Sequence, residues 1–284
     1  MNQLKTILLI MIASSFVACK TEDKDKNQDT KSVEAIQKED AIQIVGEDIA
    51  YESDTTLLRG YIAHNDALKK KRPGIIVVHE WWGHDDFARE KADELAEMGY
   101  VALAVDMYGE GKQAGHPEEA MAFSSNVMKN FDTAKKRFMA AVETLKADKN
   151  VDPNQISAIG FCFGGSVALS MANAGVDLDA VAVFHSGLGL PVMPSEKLTA
   201  KLLIQNGAED IMITDEQEKA FKNQLEAVNA DYEYIEFDGV KHSFTNKDAD
   251  SLAKKYDLPL AYDKEASEKS WKNMTRLFEK VYSN

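Results

Sequence analysis

The chain has 284 residues, 33 of them basic and 47 acidic, for a formal net charge of −14, and 44% of the sequence is hydrophobic. That is the composition of a soluble globular body. Its acidity, with no long basic run, argues against nucleic acid as a partner, because phosphate binding needs a basic patch to displace counterions. Two cysteines cannot build a disulfide framework in a chain of this length, so an apolar core must hold the body.

Met1 to Ala18 carries one basic residue, Lys5, then an apolar run from Ile7 to Ala13, then small residues just ahead of Cys19. The run is shorter than the ~20 residues a bilayer span needs, so residues 1–18 read as a signal peptide. The segment resembles a bacterial lipoprotein signal. That resemblance implies that Cys19 becomes the lipidated first residue of the mature protein, anchored on the bacterial cell envelope; an ordinary secretory signal or an uncleaved anchor is the alternative. From Lys20 to Asp40 the sequence holds five lysines and seven acids with few apolar residues, which predicts a disordered tether over residues 19–40.

The body, residues 41–284, begins with Ala41 to His64, whose pattern suggests two strands joined by a turn at an antiparallel edge. From Arg72 onward β-branched apolar runs alternate with helical patterns, the signature of a mostly parallel sheet with helices on both faces. The predicted strands are Gly74–Val78, Tyr100–Val105, Gln155–Ile159, Ala180–Phe184, Lys201–Gln205 and Asp231–Phe237. Apolar spacing of three and four predicts helices near Asp86–Met98, Pro117–Ala147, Gly164–Asn173, Asp215–Val228 and Ser267–Tyr282. No repeat or internal linker interrupts this series, so the body reads as one domain.

The strand ending at Ile159 runs into Gly160-Phe161-Cys162-Phe163-Gly164-Gly165, a strand-to-helix turn with a cysteine at the centre of G-x-C-x-G. So sharp a turn strains its central residue and lifts it above the sheet, and glycines on either side let backbone approach closely. The position is also a helix N-terminus, where amide dipoles favour an anion such as a thiolate. Gly-rich turns of this kind also bind phosphates, and a buried cysteine can be inert packing, so the motif needs partners. Asp210 follows Cys162 by 48 residues and His242 follows Asp210 by 32. Both lie in loops after predicted strands, and nucleophile, acid, histidine is the chain order of α/β hydrolases.

With these residues in place the sequence resembles the dienelactone hydrolase family of the α/β-hydrolase fold, over roughly Asp54 to Tyr282. The matching motifs are the G-x-C-x-G-G elbow at Gly160–Gly165, the loop aspartate Asp210, the H-S-F segment His242–Phe244 and the E-x-x-G segment Glu80–Gly83. The resemblance implies a Cys162–His242–Asp210 triad and an oxyanion hole of the Trp81 and Phe163 backbone amides. It also implies a Glu80 that contacts the resting thiol; the plainer alternative is a carboxylate that only binds loop backbone. Trp82, Tyr108, His185, Phe244 and Asn246 are expected to shape the substrate pocket.

The implied activity is hydrolysis of a small carboxylic ester or lactone through an acyl-thioester, with no cofactor. His79-Glu-Trp-Trp-Gly-His84 is no zinc site, because the second histidine comes one residue too late for H-E-x-x-H and the segment leaves a strand. Founding members of the family grip a substrate carboxylate with two arginines, but Glu110 and Asn246 stand at those positions here, which predicts a neutral ester or lactone. Lys241 is the one substitute cation in the motif. A non-catalytic envelope lipoprotein using the fold for binding is the rival reading. The oligomeric state is not legible.

Overall fold

The computed structural model describes residues 42–283; the signal peptide, the lipidation at Cys19 and the tether expected from the sequence all lie outside the described residues. An antiparallel pair opens the body, β1 (Ile44–Ser53) and β2 (Thr56–Asn65), as the sequence predicts. There follow β3 (Arg72–Val78), α1 (Asp86–Glu97), β4 (Val101–Val105), α2 (Pro117–Lys129), α3 (Phe131–Ala147), β5 (Val151–Phe161) and α4 (Phe163–Asn173). The chain ends with β6 (Ala180–Phe184), β7 (Lys201–Gly207), α5 (Asp215–Ala227), β8 (Tyr232–Phe237), α6 (Ala249–Tyr256) and α7 (Lys264–Tyr282).

The eight strands form one sheet in the order β1-β2-β4-β3-β5-β6-β7-β8. β2 pairs with β1 and β4 antiparallel, and every pairing from β4 through β8 is parallel. Strands covered on both faces must be apolar on both, and successive side chains must go to opposite sides. β3 does this: Ile76 and Val78 join the core formed with α3, α4 and α5, while Ile75 and Val77 join the core formed with α1 and α7. β6 splits in the same way, with Val181 and Val183 on the first face and Ala182 and Phe184 on the second.

The predicted helix over Pro117–Ala147 is two helices. Asn130 breaks it, leaving the helical region at ψ 57° and turning its side-chain amide onto the Asn126 carbonyl at 2.8 Å. Asparagine competes for backbone in this way, which makes it a natural helix stop. Helix α6 has no counterpart among the predicted elements, because eight residues hold too few turns for a periodic signal. Elsewhere the caps account for the starts: Asp85 accepts from the Ala88 amide, Asp263 accepts from the Ala266 amide, and Thr214 and Gln217 form a capping box.

Candidate active site

The connections after β3, β5, β7 and β8 leave the sheet at its carboxyl end, the rim where open α/β sheets gather ligands. β5 runs straight into α4, and Cys162 between them has φ 54° and ψ −117°. That is a strained backbone for a residue with a Cβ, held by its amide donating to the Phe184 carbonyl at 3.0 Å. The turn needs glycine beside it: a Cβ on Gly160 would sit 2.2 Å from the Gly164 carbonyl oxygen, and one on Gly164 would sit 2.3 Å from that of Val78. Phe163 is the first residue of α4, so the helix offers its N–H no acceptor.

Asp210 follows β7 and His242 follows β8. His242 Nδ1 donates to Asp210 Oδ2 at 2.6 Å, both side chains being nearly fully buried. The second ring nitrogen, Nε2, is buried without a conventional hydrogen-bond partner, and its neighbour is the thiol of Cys162. Burial alone would lower the imidazole pKa; the negative charge of Cys162 and the Asp210 carboxylate outweigh it and hold the group well above the usual histidine value. A thiol, an imidazole and an orienting carboxylate thus share one corner, with Cys162 and His242 facing one cavity of about 340 Å³. Such a corner can generate a nucleophilic sulfur and shuttle its proton.

Glu80 is also buried here, at the end of β3, and no hydrogen bond joins it to Cys162. Its Oε1 accepts from the Ser243 hydroxyl at 3.0 Å and its Oε2 from Asn246 Nδ2 at 2.7 Å. Burial raises its pKa against the opposing effects of Asn246, the His242 charge and Ser243. So Glu80 grips the loop that carries His242, through side chains rather than backbone.

Five residues expected in the pocket wall stand elsewhere. Trp82 and Asn246 line a separate cleft of about 520 Å³ with Asp85 and Tyr256, and Cys162 is not part of it. Trp81 and Trp82 are the two central residues of a turn closed by the Gly83 amide on the Glu80 carbonyl at 3.3 Å, and it is Trp81 that lines the Cys162 cavity. Tyr108 lies behind the wall, its hydroxyl donating to the Trp81 carbonyl at 2.8 Å and its ring against Phe163. His185 is fully buried behind His242, the two rings 5.2 Å apart, and its pKa is driven far down by burial and by the His242 charge. Phe244 packs on the far side of His185, also at 5.2 Å, in a small core with Phe237 and Val240.

The wall actually present draws Ser124, Ser125, Met128 and Lys129 from α2 and Met212 from the loop after Asp210, together with Trp81, Phe163, Ser166 and Gly187. Neither group carried a motif. The helical spacing of Ser124, Ser125 and Met128 was the available signal, but spacing alone does not say which helix face meets a cavity. Lys129 puts a cation on this wall, whereas Lys241 is exposed and not part of it.

Glu110, at the first arginine position, is paired with Lys112 at 3.3 Å in solvent. Its loop is organised by the buried Asp106, whose oxygens accept from the amides of Arg59, Tyr108, Gly109 and Gly111. His79 donates from Nδ1 to the Glu80 carbonyl and accepts at Nε2 from the Met107 amide, so it has no lone pair left for a metal. Among the described residues no group of three His, Cys, Asp or Glu side chains could hold a metal ion.

The sheet, its switch from antiparallel to parallel, and a cysteine elbow with a histidine and an acid beside it define an α/β hydrolase. Residues 58–282 match the dienelactone hydrolase family, and the chain belongs to that family. Protein usf of Aquifex pyrophilus is 28% identical over 243 residues, covering 84% of this chain and 99% of that protein. Among solved structures, a dienelactone hydrolase-like promiscuous phosphotriesterase from metagenomic libraries is 30% identical with a TM-score of 0.77, over 84% of this chain and 99% of that one. The structure named m3DLH is 32% identical with a TM-score of 0.79, over 84% of this chain and 98% of that one.

Proposed function

We propose that the protein hydrolyses a carboxylic ester or lactone through an acyl-thioester on Cys162. The observation that carries this reading is the 2.6 Å bond from His242 to Asp210, which leaves Nε2 directed toward a cysteine held in a strained turn. An ordinary thiol is only a few per cent ionised at neutral pH, and His242 removes that limit by taking the proton.

The sulfur attacks the substrate carbonyl carbon, and the electron pair of the C=O bond moves onto oxygen. The Trp81 and Phe163 backbone amides receive that oxyanion, a pair of donors each worth about 3 kcal/mol in comparable sites. As the tetrahedral centre collapses, the alcohol leaves with the proton from His242. Water, deprotonated by His242, then attacks the thioester; the acid departs and the thiol is restored. Asp210 keeps Nδ1 protonated and the ring in place throughout. Glu80 serves as a positioning residue for the His242 loop.

The N-terminal pattern supports a second part of the reading: residues 1–18 are removed, Cys19 is lipidated and the domain is tethered to the bacterial envelope. A Cys19→Ser protein is then recovered in the soluble fraction rather than with membranes. The activity is tested by rates on ester, thioester and amide substrates for the wild type, Cys162→Ala, His242→Ala and Asp210→Asn. The expected loss is at least about 10³-fold for the first two and about 10²–10⁴-fold for the third. Full activity in Cys162→Ala and His242→Ala overturns the assignment.

A further inference from the structure

We infer that the ester accepted by this site carries a linear apolar chain, laid along a strip of exposed apolar residues that leads out of the Cys162 cavity. The inference rests on the hydrolase reading above and names its substrate class. Trp81, Phe163, Met128 and Met212 line the cavity, with Ser124, Ser125, Ser166 and Lys129 as its polar members beside the catalytic pair. No carboxylate lines it, although the chain as a whole bears a net charge of −14.

The apolar surface does not stop at the cavity mouth. On α2, positions 121, 125 and 128 follow the spacing i, i+4, i+7 and so share one face. Ser125 and Met128 line the cavity and Met121 does not, so Met121 continues that helix face past the lining residues, and it is 60% exposed. Met212, which also lines the cavity, is 39% exposed, and Ile211 just before it is 76% exposed. Single exposed apolar residues need no explanation; here Met212 lines the cavity, Met121 shares a helix face with two lining residues, and Ile211 precedes Met212 in the chain.

The loop that carries Met212 is tied down. The Met212 amide donates to Asp210 Oδ1 at 3.0 Å, so the carboxylate that orients His242 also anchors the apolar loop. From Met128 to Met121 the helix advances about 10 Å, enough to lie beside an extended chain of about eight carbons. Methionine is flexible and polarisable, and suits chains of varying length and bend.

The test uses the full-length protein with two substrate series, p-nitrophenyl esters from acetate to octanoate and n-alkyl acetates from methyl to octyl, which separate a chain on the acyl side from one on the alcohol side. Each fully buried methylene raises kcat/KM about fourfold, so partial burial gives at least about tenfold from the shortest to the longest member of one series. In Met121→Ser/Ile211→Ser the long-to-short ratio falls about threefold or more. Calorimetric binding of methyl acetate and methyl octanoate to Cys162→Ala reads the same strip without turnover, octanoate binding at least about tenfold tighter.

Hydrolysis with flat or falling rates in both series, or an unchanged ratio in the double variant, overturns the chain inference and leaves the hydrolase reading standing. Tight octanoate binding in a protein that hydrolyses no ester supports the apolar strip and overturns the activity instead. Absence of both hydrolysis and octanoate preference overturns the two together.

Discussion

Asn246 Nδ2 donates to Glu80 Oε2 at 2.7 Å, and that bond joins the segment after β3 to the loop that carries His242. With the Ser243 hydroxyl on the other oxygen, the glutamate acts as a buried clamp across the rim, 163 and 166 residues from its two partners. Ser243 adopts φ 58°, a backbone that needs such support.

The clamp predicts a difference between two variants. Glu80→Ala leaves the Asn246 amide and the Ser243 hydroxyl, both on nearly buried residues, without their acceptor, at about 1–3 kcal/mol for each group left unpaired. Glu80→Gln keeps the volume and one acceptor and loses less. Urea midpoints should rank wild type, Gln, Ala, with kcat following the same order because His242 rides on the clamped loop. An Ala variant as stable and active as the Gln variant contradicts the clamp.

Asp85 gives a prediction about pH. Its carboxyl is pushed up to about 7 by burial first and by the Glu80 charge second. An acid with a raised folded-state pKa stabilises the fold while protonated, and that contribution is lost as pH climbs from its unfolded value near ~3.9 to about 7. Asp85→Asn does not titrate and still suits the N-cap of α1. Its Tm relative to wild type should therefore rise between those pH values and level off above them. A difference that stays constant with pH contradicts the assignment.

The raised pKa of His242 owes more to the charge of Cys162 than to any other favourable cause. In Cys162→Ala that support is gone while burial remains, so the imidazole pKa should fall. The His242 ring resonances, followed by NMR across pH in both proteins, check this. An unshifted titration would mean that the sulfur and the ring do not interact.

The sheet was legible because buried parallel strands announce themselves as continuous apolar runs; Ala180–Phe184 forms β6 with the ends the sequence suggests. Helix boundaries were harder where a single side chain decides, as Asn130 does between α2 and α3. Cys162, Asp210 and His242 were legible because each follows a strand on one rim, so order along the chain maps onto neighbourhood in space. The pocket wall was not. Trp81 and Trp82 are indistinguishable in sequence yet face different cavities, and Met128, Lys129 and Met212 belong to elements whose facing is fixed only by packing.

The most direct test is to quench a turning-over ester reaction in acid and locate the acyl group by peptide mass spectrometry. An adduct of the acyl mass is expected on the peptide containing Cys162, absent from Cys162→Ala and longer-lived in His242→Ala. An adduct on another residue, or hydrolysis that continues undiminished in Cys162→Ala, contradicts an acyl-thioester on Cys162.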